Sequence, residues 1–172
     1  MATGDLLITL DAQQAIPPAT LAAALDTIVG GSTPAEVYPV VAYDDTTQEY
    51  MDFVCDMPPN YSGGGITLRI KHGASDVASD VVEWQAAFRR IADDAEDLDT
   101  SQTYDFNAVV ATVPSAVGEV AYDVITFTSG ADMDNVAVGD RFGLRVTRDP
   151  TPSSGTNATG DAYLHSIEVR ET

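Results

Sequence analysis

Five carboxylates fall within the ten residues RIADDAEDLD, residues 90–99: Asp93, Asp94, Glu96, Asp97 and Asp99. Calcium takes about six to eight oxygens from one compact loop, so this run is the first place where the chain could hold Ca2+. Asp132 and Asp134 in GADMDN form a second, weaker candidate. Neither run has the EF-hand pattern with its central glycine and closing glutamate. The competing reading of residues 90–99 is a solvated turn after a long strand, touching a partner subunit, with Arg89 and Arg90 offsetting part of the repulsion. Transition metals prefer clustered histidine and cysteine, and His72, His165 and Cys55 are the only such residues.

Other chemistries find less. SGGGIT lacks the GxGxxG spacing and the lysine of a phosphate loop, so its glycines read as a turn. No G-x-S-x-G is present. Cys55 sits in an apolar run where a buried, inert thiol is expected. A carboxylate-pair hydrolase would need two acids brought together in space, and in so acidic a chain no pair stands out. Carbohydrate binding is a stronger rival, because β-sandwiches can offer aromatic ring faces to sugars. Tyr38, Tyr43, Tyr50, Tyr61 and Trp84 could supply them, and Tyr61 in NYSGGG, an aromatic in a glycine-rich loop, is the preferred candidate.

The elements that would position these residues read as strands. GITLRIKH alternates Ile66, Leu68 and Ile70 against Thr67, Arg69 and Lys71, one dry face and one wet. RFGLRVTRD alternates Phe142, Leu144 and Val146 in the same way. YDFNAVV puts Tyr104, Phe106, Ala108 and Val110 on one face, and AYLHSIEVRE puts Tyr163, His165, Ile167 and Val169 together. VAYDVITFT is almost continuously apolar and suits a central or two-sided strand. VVEWQAAFRRI fits either period, and a strand continues the surrounding pattern better than a lone helix. PATLAAALDTIVG stays open between helix and strand. Proline, glycine and Asp-Asp punctuation separates the runs, giving about eight main strands from Val37 onward. The expectation is an all-β protein: one jelly-roll-like β-sandwich over residues 31–172, preceded by an N-terminal arm over residues 1–30. Within that arm Leu6, Leu7, Ile8 and Leu10 could dock on a neighbour's open sheet edge or complete the chain's own sheet.

Composition limits the partners. Of 172 residues, 27 are acidic and 8 basic, a formal charge of -19. That field repels phosphate backbones, so ordinary nucleic-acid binding is excluded. No apolar run reaches the length of a membrane helix. MATGDLLITLD lacks the basic and apolar regions of a secretory signal, and one cysteine forms no disulfide framework.

Several stretches together resemble a group of small acidic virion proteins of tailed bacteriophages and related environmental viruses. They are LDAQQAIPPAT, MDFVCDMPPNYSGGGITLRIKH, VVEWQAAFRRIADDAEDLD, AVGDRFGLRVTRDP and TGDAYLHSIEVRET. The resemblance implies a non-enzymatic structural protein assembled, as a homotrimer, on a major capsid protein or another virion component. It implies a virion-surface location, with host cytoplasm as the site of assembly. A capsid decoration or cement role is the first expectation, and a fibre- or tail-associated receptor- or glycan-binding module the alternative. No cofactor is implied.

Overall fold

The computed structural model describes residues 4–76, 80–93 and 97–172. Ten strands run in chain order: β1 (Leu6–Asp11), β2 (Ala24–Val29), β3 (Val37–Tyr43), β4 (Tyr50–Asp56), β5 (Ile66–Ala74), β6 (Val81–Ile91), β7 (Asn107–Thr112), β8 (Ala121–Phe127), β9 (Arg141–Asp149) and β10 (Ala162–Glu171). They form two antiparallel sheets. The first has the order β2-β3-β10-β5-β8 with β1 also on β10, and the second β4-β9-β6-β7. The all-β sandwich expected from the alternation is the architecture observed.

Alternation explains the core. Ile66, Leu68 and Ile70 of β5 point inward, and Val82, Trp84, Ala86 and Phe88 of β6 meet them from the other sheet. Rings interlock across the gap. Trp84 stands edge-on to Tyr43 at 5.2 Å between centroids, and Phe88 edge-on to Phe127 at 5.0 Å, the arrangement that the ring quadrupole favours. Both 81–91 and the C-terminal half of 20–30 are strands, which resolves the two ambiguous segments. Leu25, Thr27 and Val29 pair with Val41, Pro39 and Val37 of β3, so the β-branched end of the segment prevails over its Ala and Leu content.

Three expected faces are corrected. In β10 the register shifts between Leu164 and Ser166, so a bulge inserts one residue at His165. Ala162 and Leu164 therefore share the inward face with Ile167 and Val169, while Tyr163 turns out. β7 begins only at Asn107 and buries Ala111, followed by Val113, so its inward phase is the opposite of that expected. Tyr104 and Phe106 lie before the strand, with Tyr104 stacked on the Arg145 guanidinium at 4.2 Å. β8 is an edge strand rather than a central one, with Tyr122 and Val124 facing water.

The N-terminal segment lies within the first sheet. Leu6 pairs with Arg170, Ile8 with Val169 and Leu10 with Ile167 of the same chain's β10. Leu10 is buried in the core, Leu7 and Ile8 pack against it, and Leu6 is exposed.

Candidate functional site

β10 has two partners on one side. β3 pairs with it from Ala162 to Leu164, and β1 takes over from Ser166. The changeover falls at the His165 bulge, where β3 leaves the sheet as part of the β2–β3 hairpin. Divergence at that point opens a groove on the outer face of the first sheet. One half, about 510 Å³, lies between Ile28, Val29 and Tyr38 of the hairpin and Val117, Gly118 and Val120, with His165 on its wall. The other half, about 400 Å³, is lined by Asp11, Gln13, Tyr38, Pro39, His165 and Ser166. Each volume lies in the range of small-molecule sites, about 300–1,000 Å³.

Tyr38 stands where the halves meet. Its hydroxyl donates to the Glu36 carboxylate, which holds the phenol above its ordinary pKa and fixes the ring. Tyr38 is 50% exposed and Tyr122 is 52% exposed. Among the described residues they are the only exposed aromatic side chains, and both stand on this face.

The register supplies the polar groups between them. Asp11 pairs with Ser166, Ser166 with Lys71 and Lys71 with Tyr122, one row across four strands. The next row runs Thr9, Glu168, Arg69 and Val124. Glu168 accepts ion pairs from Lys71 at 2.6 Å and Arg170 at 2.6 Å. Hydrogen bonds from Lys71 and then Arg170 hold its carboxyl below the usual range. The Arg69 guanidinium carbon lies 4.3 Å from the Tyr122 ring centroid, a cation–π contact.

The other sequence candidates serve the fold. Tyr61 is 4% exposed, its hydroxyl donating to the Gly64 carbonyl and touching the Met133 sulfur at 3.9 Å. It packs against its own glycines and offers no free ring face to a sugar. Tyr43 and Trp84 are core residues, and Tyr50 is half-buried beside Arg145. The Asp132 carboxylate accepts the Thr128 backbone N–H at 2.6 Å and the Asn107 side-chain amide at 2.9 Å. Asp134 accepts the Arg90 N–H at 2.8 Å. Asp93, Asp97 and Asp99 are exposed after β6, and Asp94 and Glu96 lie outside the described residues. Among the described residues no three His, Cys, Asp or Glu side chains converge as a metal site.

The nucleophile reading gains nothing from the geometry, and neither does the acid pair opposed across β6 and β9. Burial pushes the half-buried Cys55 thiol up to about 11, away from thiolate chemistry. Glu83 and Asp149 oppose each other across β6 and β9, tied by the Gln85 amide at 3.2 and 3.0 Å. Burial pushes Glu83 up, but hydrogen bonds from Ser153 and Gln85 outweigh it and leave the carboxyl lowered. A general acid needs the reverse.

Sequence reasoning included Tyr38 among the available rings but passed over Tyr122. The signal for Tyr122 was present in the neighbouring strand, where Arg69 and Lys71 alternate outward in register with it.

No protein-family model matches the chain, and no curated protein matches it. Solved structures do share the fold. The CBM22-2 xylan-binding domain of Xyn10C from Paenibacillus barcinonensis is similar with a TM-score of 0.52 at 10% identity, covering 96% of this chain and 99% of that one. The CBM22-1 xylan-binding domain of the same protein gives 0.49 at 9% identity, covering 99% and 97%. The functional form of the mosquito-larvicidal Cry4Aa toxin from Bacillus thuringiensis gives 0.53 at 10% identity, covering 95% of this chain and 23% of the toxin. At these identities the two likenesses with TM-scores above 0.5 establish the β-sandwich fold.

Proposed function

We propose that this protein is a non-catalytic carbohydrate-binding module whose ligand lies along the outer face of the six-stranded sheet. The observation that carries this reading is the pair Tyr38 and Tyr122. They are exposed rings on one flank of the sandwich, separated by a groove and a row of hydroxyl, ammonium and carboxylate groups. Sugars present apolar C–H faces and rims of hydroxyls, so aromatic platforms with interleaved polar groups suit them. Sharing a fold with a xylan-binding domain supports the reading. Calorimetric titration against a panel of soluble polysaccharides tests it. Tyr38→Ala and Tyr122→Ala should each weaken binding about tenfold, equivalent to about 1.4 kcal/mol. Failure of every polysaccharide to bind the unaltered protein would overturn it.

A second reading keeps the protein as a virion component, docked as a homotrimer on a capsid or tail. The observation favouring it is the hairpin. Leu25, Val29 and Val37 share a face of β2–β3 with the core residue Val41, yet each is more than half exposed. Apolar side chains grouped in this way suit a subunit contact. Light scattering should then return a trimer, and Val29→Glu should return a monomer. A monomer at every concentration of the unaltered protein would count against the homotrimer. The two readings meet at Val29, which lines the groove and would also stand in the subunit contact, so a trimer formed there would cover that edge of the groove.

A further inference from the structure

Three of the chain's eight cations converge on the proposed binding face. Arg69, Lys71 and Arg170 surround Glu168, at 3.8, 2.6 and 2.6 Å from its oxygens. Several other cations are matched singly with carboxylates. Arg145 binds Asp52 through two hydrogen bonds of 2.7 Å, Arg90 binds Asp140 and Arg141 binds Asp56. On the two rows that reach β8 the charged side chains are Lys71, Arg69, Glu168 and Asp11, and Arg170 reaches Glu168 from the next row. The face's cations therefore gather at its Tyr122 end, away from Glu36 at Tyr38, in a chain whose net charge is -19.

Two of these cations stand at the exposed ring. Arg69 and Lys71 lie 4.3 and 6.0 Å from the Tyr122 centroid, and their side chains remain 40% and 26% exposed. Arg170 is further engaged by the Gly4 carbonyl at 2.9 Å, which leaves Arg69 and Lys71 as the cations with donors to spare. The hydroxyls of a neutral sugar can accept from such donors, but a charge-assisted bond needs an anionic acceptor. A sugar ring resting on Tyr122 would bring an anionic substituent within their reach, and a guanidinium fork matches a planar carboxylate or a sulfate. The overall field repels polyanions, so attraction has to be local, at short range, and confined to this patch.

We propose that the face selects glycans bearing carboxylate or sulfate groups, with Tyr122 as the stacking surface and Arg69 and Lys71 binding the anion. This rests on the glycan-binding reading of the same face and adds the ligand's charge class. The probes are polygalacturonate and the same polymer after carboxyl reduction, alongside a sulfated galactan and its desulfated form. Titration at low salt should give the anionic member of at least one pair about a tenfold advantage over its neutral partner. That advantage should shrink as the Debye length falls from about 30 Å at 0.01 M to about 8 Å at 0.15 M salt. Arg69→Gln should lower the ratio of anionic to neutral affinity. An advantage in the first pair alone identifies uronates, in the second alone sulfated sugars, and in both the shared anion chemistry. Neutral and anionic polymers that bind equally, with Tyr122→Ala abolishing both, would overturn this inference and leave glycan binding standing. Absence of binding by all four polymers would overturn this inference, and the glycan-binding reading falls with it only if the whole polysaccharide panel fails as well.

Discussion

The His165 imidazole lies over Gly73 of β5, so close that a Cβ built at residue 73 would sit 3.2 Å from His165 Nε2 and 3.0 Å from the Glu119 carbonyl. Gly73 is needed here for space, because its neighbours are a ring pinned at a bulge and a backbone carbonyl. A methyl group would have to push the turn that carries Val117 and Val120, one wall of the groove. Gly73→Ala should therefore destabilise the fold by about 1–3 kcal/mol, the usual range for overpacking, and weaken polysaccharide binding as well. Chemical denaturation paired with titration checks both effects. An alanine variant of unchanged stability and affinity would show that the wall yields freely.

Both histidines sit at this seam. His72 points into the core with Nε2 3.0 Å from Asp123 Oδ2, and His165 lies on the outer side. Burial holds each imidazole below its ordinary pKa. At His72 the Asp123 contact opposes that shift, and at His165 the charge of His72 adds to it. A histidine with a lowered folded pKa contributes stability that is fully present above the unfolded value of about 6.5. That stability falls as pH drops towards the folded value, because the unfolded chain binds the proton first. The melting-temperature difference between the unaltered protein and His165→Gln should therefore shift against the unaltered protein between about pH 7.5 and about pH 5.5. Comparing the two proteins cancels the carboxylates they share. A difference that stays constant across the window would assign no linkage to His165.

Alternation made much of this fold legible. GITLRIKH and RFGLRVTRD each bury one face, so a period of two fixes which side chains turn inward. The bulge at His165 was illegible, because a single inserted residue reverses the phase of half a strand with no local signature. The same ambiguity hid the binding face. Tyr43 is buried and Tyr122 exposed because one alternates with the inner and the other with the outer row, and that assignment depends on sheet order. VAYDVITFT reads as central because it is almost continuously apolar, whereas in the fold its Tyr122 and Val124 form part of an exposed surface. Tyr61 misled for the opposite reason. A loop rich in glycine can fold back on its own aromatic ring as readily as present it.

Arg148 offers a test of the core's polar content. It is fully buried, and its guanidinium donates to the carbonyls of Tyr43 at 3.1 Å, Gly160 at 2.7 Å and Ala158, and to the Asn157 side-chain oxygen at 3.1 Å. One side chain thus ties the end of β3 to the loop that precedes β10. Arg148→Met fills similar volume but leaves those acceptors without donors, at about 1–3 kcal/mol for each one that water does not reach. Thermal unfolding should show a midpoint lowered by about 5 °C or more. Proteolysis should become faster within residues 150–161. Unaltered melting would mean that the loop is held by other contacts.

The net charge of -19 sets the response to salt, because two opposing effects differ in range. Close pairs such as Arg145 with Asp52, at 2.7 Å and part-buried, are screened little. Repulsion among dispersed surface carboxylates acts over longer distances and is screened first, once the Debye length falls to about 10 Å at 0.1 M. Repulsion therefore dominates the response, and the melting midpoint should climb as sodium chloride rises from about 0.01 M to about 0.5 M. Calcium chloride at matched ionic strength separates screening from binding. An ion held only by the folded chain adds stability with concentration, so a further rise with calcium would identify a bound cation, with the carboxylates around Asp93, Asp97 and Asp99 as the first to substitute. Equal midpoints in the two salts would leave those carboxylates as solvent-facing charge, and a midpoint that fell with sodium chloride would mean that local pairs outweigh the repulsion.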